Sequence, residues 1–467
     1  MSNLLLPTLS LVNRRFDANH DNDSQGVNVA RGLQQPARVI APFATELGKA
    51  NMLSRLAFWV NVFPARYETF IASQIEGMLD RGWNLEIIAR KKGPSDNSAN
   101  PALLHSVEGR TVFRPIVPSN RWARILKTPV ITVNVILKKP RALSTLFADS
   151  VDTQTAGRLG LLYESLPFVG RRPHDIVFCA YGPLGNMAVA LKSAGIISGR
   201  IVTAFRGSDL SQGIYEDPKI YNRLFEVGDL FLPVSDVFKS RLLELGCPES
   251  KIAVHHDSVD CSAFSVIERK YTPGEPLRLI AVGRLIEKKG FEYAIRALAL
   301  VKQKIPHVKL HVVGDGPLKT GLLALIEELG LSKHVEILGW MSHAAIVAEL
   351  ERAHIMIQPS VTGANGDQEG IPTVLKEALA SGLPVVATRH SGNPELVIEG
   401  VTGHLVPERD VDALAARVVD LADAPQRWNE MGRAGRTLVE QEYDIPVQNE
   451  RLHGLFMKLA NNDESRA

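Results

Sequence analysis

From Leu279 to Thr388 the sequence alternates between two lengths of apolar pattern, and this alternation restricts the fold more than any other feature. Runs of strand length (Leu279–Val282, Val308–Val313, Val335–Leu338, Ile355–Gln358 and Pro384–Thr388) are separated by longer segments with helical spacing. Those segments are Phe291–Ile305, Leu318–Leu329, Ala344–Ala353 and Ile371–Ala380. Strands linked by helices run parallel, and continuously apolar strands are covered on both faces. A less regular version fills the first half, with strands predicted at Arg55–Phe63, Asn84–Ala89, Asp175–Cys179, Arg200–Phe205 and Leu230–Pro233. Glu68–Arg81 reads as a helix, with Ile71, Ile75, Met78 and Leu79 on one face and Gly82 behind it.

The expected fold class is therefore α/β, with two doubly wound, Rossmann-like parallel-sheet domains facing a cleft. We place them at 52–265 and 277–435, joined by a linker at 266–276 that holds Pro273 and Pro276. Residues 1–51, polar from Asn13 to Gln25, read as a disordered or loosely docked arm. Residues 436–467 read as a tail helix that packs back on the N-terminal domain. Ligands of such sheets bind beyond the carboxyl ends of the strands, so the crevice between the domains is the expected site.

Composition removes several function classes. With 53 Lys+Arg against 51 Asp+Glu in 467 residues, the chain lacks the basic excess of a nucleic-acid binder. Cys179, Cys247 and Cys261 are too few and too scattered for a disulfide framework and fit a reducing compartment. Apolar runs such as Pro129–Leu137 fall far short of a membrane span. The apolar start has neither a basic flank nor a cleavage site, so no secretory leader is expected.

Two strand-end segments have the chemistry of an anion site. In Ala281–Gly290, Gly283 lets a ligand approach the backbone, and Arg284 and Lys289 flank a loop before a helix. Two cations at a helix N-terminus suit a diphosphate, although a solvated basic turn has the same sequence signature. In Val361–Glu377 a Gly-rich loop runs into a helix with Pro372 in its first turn, leaving free amides from Gly370 to Val374. Glu369 and Glu377 would stand roughly 12 Å apart along that helix, too far for the paired carboxylates of a retaining glycosidase. They suit two parts of one long ligand, or, more blandly, a helix dipole and a salt bridge.

Taken together, GRL-x4-KG (Gly283 to Gly290), VGDGP (Val313–Pro317), Pro359-Ser360, E-x7-E (Glu369 and Glu377) and SG-xx-E (Ser391 to Glu395) resemble glycosyltransferase family 4. Pro359–Pro372 is similar to the colanic-acid and amylovoran type of bacterial exopolysaccharide transferase. Phe63-Pro64 with Glu68, Arg206–Leu210 and Leu232–Asp236 resemble the same group, so the likeness spans about 52–450.

The resemblance implies a GT-B fold and retaining transfer from a nucleotide-sugar, with the N-terminal domain on the acceptor side and the C-terminal domain holding the donor. Arg284 and Lys289 would neutralise the diphosphate beside Gly283, and Glu377 would accept hydrogen bonds from ribose. Glu369 would hold sugar hydroxyls near the anomeric carbon, with amides around Gly370, Ile371 and Thr373 facing sugar and phosphate. No protein nucleophile, metal or other cofactor is expected. Preorganised cations and amides can stabilise the leaving group without a metal. The implied acceptor is a growing saccharide linked to polyprenyl diphosphate, at the inner face of the cytoplasmic membrane.

The N-terminal half departs from the family pattern. Arg206 stands where many members have a histidine, Phe178–Gly182 lacks a second histidine, and Asp257–Asp260 replaces N-G-V-D. Arg206, Asp209 and Tyr181 are the acceptor-side candidates, and Arg206 is expected at the cleft, working in recognition or paired with Asp209. An epimerase or a phosphorylase can share this architecture, and a non-catalytic scaffold that binds nucleotide-sugar or glycan is the rival from a different class.

Three signals carry no chemistry in this reading: Asp21 and Asp23 in the polar arm, His255-His256 with no further zinc ligand, and Gly314–Gly316 without a dinucleotide fingerprint. Arg110 to Arg172 carries eleven basic and three acidic residues, interleaved with Trp122, Ile125, Leu126 and Val130–Leu137. This composition suits an anionic lipid surface, or a solvated basic face over core strands.

Overall fold

The computed structural model describes residues 54–65, 68–93, 101–115, 121–139 and 157–461. The arm at 1–51 lies outside them. The N-terminal sheet has six strands: β1 (Arg55–Phe63), β2 (Asn84–Lys92), β3 (Thr111–Phe113), β4 (Ile176–Cys179), β5 (Arg200–Phe205) and β6 (Leu230–Pro233). Its order is β3-β2-β1-β4-β5-β6, every pair parallel. The C-terminal sheet holds β7 (Leu277–Val282), β8 (Val308–Val313), β9 (Val335–Gly339), β10 (Ile355–Gln358), β11 (Val385–Thr388) and β12 (Gly403–Val406). It runs β12-β11-β10-β7-β8-β9, also all parallel. The order reverses between β1 and β4 in one sheet and between β7 and β10 in the other, which sets a ligand crevice at each place.

Alternation along the strands divides each sheet into two cores. Ala57 and Trp59 of β1 face one cluster, while Leu56, Phe58 and Val60 face the other. The helix Thr69–Asp80 covers the second face, and the last helix, Ile445–Asn461, lies against it through Leu452 and Phe456. Phe456 meets Phe178 at 5.8 Å between ring centroids, so the end of the chain belongs to the N-terminal core. In the segment that connects β6 to β7, Arg269 is buried and donates to the carbonyls of Leu350, Ala353, Ser381 and Gly382 of the C-terminal domain. These lie at the ends of the helices His343–Arg352 and Thr373–Ala380, where carbonyls lack helical partners.

Val130–Leu137 continues the helix Arg121–Lys138, with Pro129 inside it, so the alternative of a basic face over core strands does not hold there. The basic segment is also less free than its count suggests. Arg114 and Arg90 share the buried carboxylate of Glu164, and Arg171 pairs with Glu86.

Candidate functional site

The site grows from the switch point of the C-terminal sheet. β7 ends at Val282, and Gly283 opens the loop to the helix Phe291–Lys304. Gly290 closes that loop at φ 64°, and a Cβ there would stand 1.9 Å from the carbonyl oxygen of Pro359. Only glycine allows this approach, which holds the loop after β7 against the loop after β10.

The lysines of the first loop thereby meet the acids of the second. Lys289 Nζ donates to Glu369 Oε2 at 3.0 Å. Lys288, which sequence reasoning passed over in favour of its neighbour, is buried and donates to Asp367 Oδ1 (3.0 Å) and to the Gln368 carbonyl (3.1 Å). Its Nζ is also 3.8 Å from Glu369 Oε1. Burial raises the Glu369 carboxyl, but Lys289 and then Lys288 outweigh it and hold it below the ordinary carboxylate value. Arg284 is exposed and has no side-chain partner among the described residues.

A second support was not legible in the sequence. The Glu369 amide donates to His390 Nε2 at 3.0 Å, and His390 Nδ1 lies 2.6 Å from Glu408 Oε1. Because Nε2 accepts, the proton sits on Nδ1, and the fully buried imidazole fixes the backbone that presents Glu369. The segment SGNPE drew attention to Glu395 only, although His390 directly precedes it.

The helix begins at Thr373, later than expected, with Pro372 as its N-cap rather than inside its first turn. Glu377, one turn on, is buried beside His343 Nε2 at 3.5 Å, and this hydrogen bond raises the imidazole pKa. Thr373, Glu377 and His343 line a cavity of about 350 Å³ whose opposite wall is Phe63, Glu68 and Glu76 of the N-terminal domain. Of the donor-side candidates Thr373 and Glu377 line this cavity, while Arg284, Lys289 and Glu369 and the acceptor-side candidates Arg206, Asp209 and Tyr181 are not among its lining residues.

Arg206 does not pair with Asp209 through its side chain. The Asp209 carboxylate instead accepts the amides of Gly182 (3.1 Å), Arg206 (3.1 Å) and Gly207 (2.9 Å), tying the ends of β4 and β5 together. Burial raises its carboxyl and the three amides oppose that shift. The Arg206 guanidinium turns into the protein. It pairs with Asp257, donates to Gln74 Oε1 and the Ala180 carbonyl, and stacks over Phe70. Asp257 is also the anchor of Lys376, whose buried Nζ donates to its carbonyl. Burial, aided by the Arg206 charge, lowers Lys376 to about 7. Burial raises the Tyr181 phenol, and the Glu68 carboxylate to which it hydrogen-bonds raises it further.

The domains also touch directly. A Cβ on Gly370 would stand 2.4 Å from the Arg206 carbonyl oxygen. Ser211 contacts Asp367 and the Gln368 amide, and Arg241 donates to Gln368 Oε1 at 2.7 Å. Glu395 reaches across to accept the Asp236 amide at 2.9 Å, at the start of the helix Asp236–Glu244.

This geometry has relatives. The family model described as "Glycosyl transferases group 1" matches residues 265–438. The chain is 35% identical over 411 residues to the putative colanic acid biosynthesis glycosyltransferase WcaL of Escherichia coli, covering 87% of this chain and all of that one. It is 32% identical over 410 residues to the amylovoran biosynthesis glycosyltransferase AmsK of Erwinia amylovora, again 87% of this chain and all of the relative. Among solved structures it resembles Anabaena HepE in complex with UDP and glucose, at a TM-score of 0.61 and 17% identity, covering 87% of this chain and 100% of that one. Sucrose-phosphate synthase from Thermosynechococcus elongatus superposes at a TM-score of 0.62 and 18% identity, covering 87% and 99%. The chain is a member of the group 1 glycosyltransferases, built on the GT-B fold.

Proposed function

We propose that the protein transfers a sugar from a nucleotide-sugar, with retention of configuration, to a growing exopolysaccharide or surface-glycan acceptor carried on polyprenyl diphosphate. The observation that carries this reading is the junction at the second switch point. There Arg284, free at the end of β7, stands in the loop whose Lys289 is bound to Glu369, ahead of the helix that bears Glu377. Arg284, Lys289 and the amides of Gly370, Ile371 and Thr373 take the diphosphate, Glu377 takes the ribose, and Glu369 orients the sugar. As the glycosidic bond breaks, negative charge grows on the diphosphate, and these fixed donors stabilise it without a metal. The N-terminal wall of the cleft, with Tyr181 behind Glu68, receives the acceptor. The relatives named for colanic acid and amylovoran synthesis support an exopolysaccharide product, and the neighbour solved with UDP and glucose supports a nucleotide-sugar donor. A lipid-linked acceptor places the protein at the inner face of the cytoplasmic membrane as a peripheral protein; no helix among the described residues is long and apolar enough to cross.

The test is a thermal-shift panel of UDP- and GDP-sugars, followed by hydrolysis of the best ligand with and without chelator. A ligand at 100 times its dissociation constant adds about 2.7 kcal/mol. Slow release of free sugar that survives chelation, and faster release into a polyprenyl-linked acceptor, is the expected result. Binding without turnover supports the non-catalytic scaffold, and conversion of the donor sugar without transfer supports an epimerase. Phosphate-dependent release of a sugar phosphate supports a phosphorylase.

A further inference from the structure

Gln368 stands between the two domains and immediately before Glu369, and each of its polar groups has a partner. Its amide donates to Ser211 Oγ (3.1 Å) and its carbonyl accepts from Lys288 (3.1 Å). Its side chain accepts from Arg241 Nη2 at 2.7 Å and donates to Thr362 Oγ1 at 2.9 Å. Ser211 and Arg241 come from the N-terminal domain, Lys288 and Thr362 from the C-terminal domain. Arg241, on the helix Asp236–Glu244, is anchored on its own side. It donates to the Leu210 carbonyl at 2.9 Å and lies over the Phe238 ring.

From Thr362 the contacts return to Glu369. The Thr362 hydroxyl and amide donate to Glu408 Oε1 (3.2 Å) and Oε2 (2.8 Å). Glu408 Oε1 also takes the proton of His390 Nδ1, and His390 Nε2 accepts the Glu369 amide. Because Gln368 and Glu369 are consecutive, Gln368, Thr362, Glu408, His390 and Glu369 close a ring. Arg241 enters it from the other domain and sets its sense. A guanidinium only donates, so Gln368 must turn its oxygen to Arg241 and its NH2 to Thr362. The Thr362 hydroxyl, having accepted, then donates to Glu408. Hydrogen bonds linked in this way support one another and are lost together.

We propose that Arg241 is a positioning residue for sugar transfer: by fixing Gln368 it sets the backbone that carries Glu369, so that carboxylate is in place only when the N-terminal domain is docked. This inference rests on the role of Glu369 proposed above and adds to it a residue of the opposite domain. Arg284 and Lys289 lie outside the ring. Loss of Arg241 should therefore reach the sugar step and spare the nucleotide.

The experiment uses the full chain with Arg241→Met and Thr362→Val, which keep most of each side chain's shape and remove its hydrogen bonds. Calorimetry with UDP and GDP gives nucleotide affinity, and nucleotide-sugar hydrolysis at saturation gives turnover. Hydrogen exchange of the segment 361–370 reports its order without any need for activity. Each variant should keep nucleotide affinity within about two-fold, lower turnover about five-fold or more, and speed exchange in that segment. The double variant should be no slower than the worse single variant, because both changes open the same ring. Normal turnover in Arg241→Met overturns the proposal, as do losses that multiply in the double variant. A fall in nucleotide affinity as large as the fall in turnover also overturns it, since the whole site would then have moved. If wild type turns over no nucleotide-sugar but Arg241→Met still speeds exchange in 361–370, the proposed activity fails and the coupling across the domains stands. If wild type is active and neither variant alters turnover or exchange, the activity stands and the coupling fails.

Discussion

Lys289 Nζ stands 3.0 Å from Glu369 Oε2, so the cation proposed for the diphosphate is already paired with the carboxylate proposed for the sugar. Both side chains are largely buried, and the pair is little screened. Under the proposed function, a donor that binds Lys289 takes a contact that Glu369 holds in its absence.

The consequence can be tested with Glu369→Gln, which keeps shape and hydrogen bonding but removes the charge. Affinity for UDP or GDP should hold or rise, because Lys289 is released, while turnover falls about ten-fold or more through loss of sugar orientation. Calorimetry and steady-state rates separate the two. A drop in nucleotide affinity as large as the drop in turnover contradicts the assignment.

Arg284→Ala should behave differently. The side chain is exposed and unpartnered among the described residues, so the melting temperature should not move. Nucleoside-diphosphate affinity should fall about ten- to hundred-fold, the value of one charge-assisted contact. Unchanged affinity would remove Arg284 from the site.

Arg206 is expected to be a residue of fold and domain coupling. Arg206→Ala leaves Asp257 buried without its cation, at a cost of about 3–5 kcal/mol. In double-mutant cycles, the coupling of Arg206 to Asp257 should exceed that to Asp209, whose carboxylate is spent on backbone amides. Equal couplings would restore the Arg206–Asp209 pair.

The parts of the site that were legible in sequence are local in the chain. Gly283, Arg284 and Lys289 fall on one strand end, and Glu369 to Glu377 on one helix start, so period and loop chemistry reveal them. What the sequence hid depends on contacts between distant segments. Lys288 looks like a solvated neighbour of Lys289 until Asp367 and Gln368 close over it. His390 lies 21 residues from the amide it supports, and Asp257 lies 51 residues from Arg206, distances no local pattern spans. The helical state of Val130–Leu137 was hidden for another reason. An apolar run with β-branched residues and a proline reads as strand or loop by propensity, and packing of Ile131 and Val135 against the N-terminal core overrides it.

Glu395 should make stability fall as pH rises. Its carboxyl spans the domains, accepting the amides of Asp236 and Val237. Burial first, and then the nearby Asp236 carboxylate, raise it from 4.5 to about 7. Below the unfolded value the group is protonated in both states and costs nothing. Between that value and about 7 the folded chain holds a proton that the unfolded chain lacks, so stability declines with pH and stays reduced above it. Glu395→Gln keeps an acceptor for the two amides but cannot ionise. It should match wild type at about pH 4.5 and exceed it by on the order of 2 kcal/mol at about pH 8, allowing for partial screening. Urea melts of both proteins at the two pH values give the comparison. A difference that does not grow with pH would show that Glu395 is ionised throughout and that its place between the domains costs nothing.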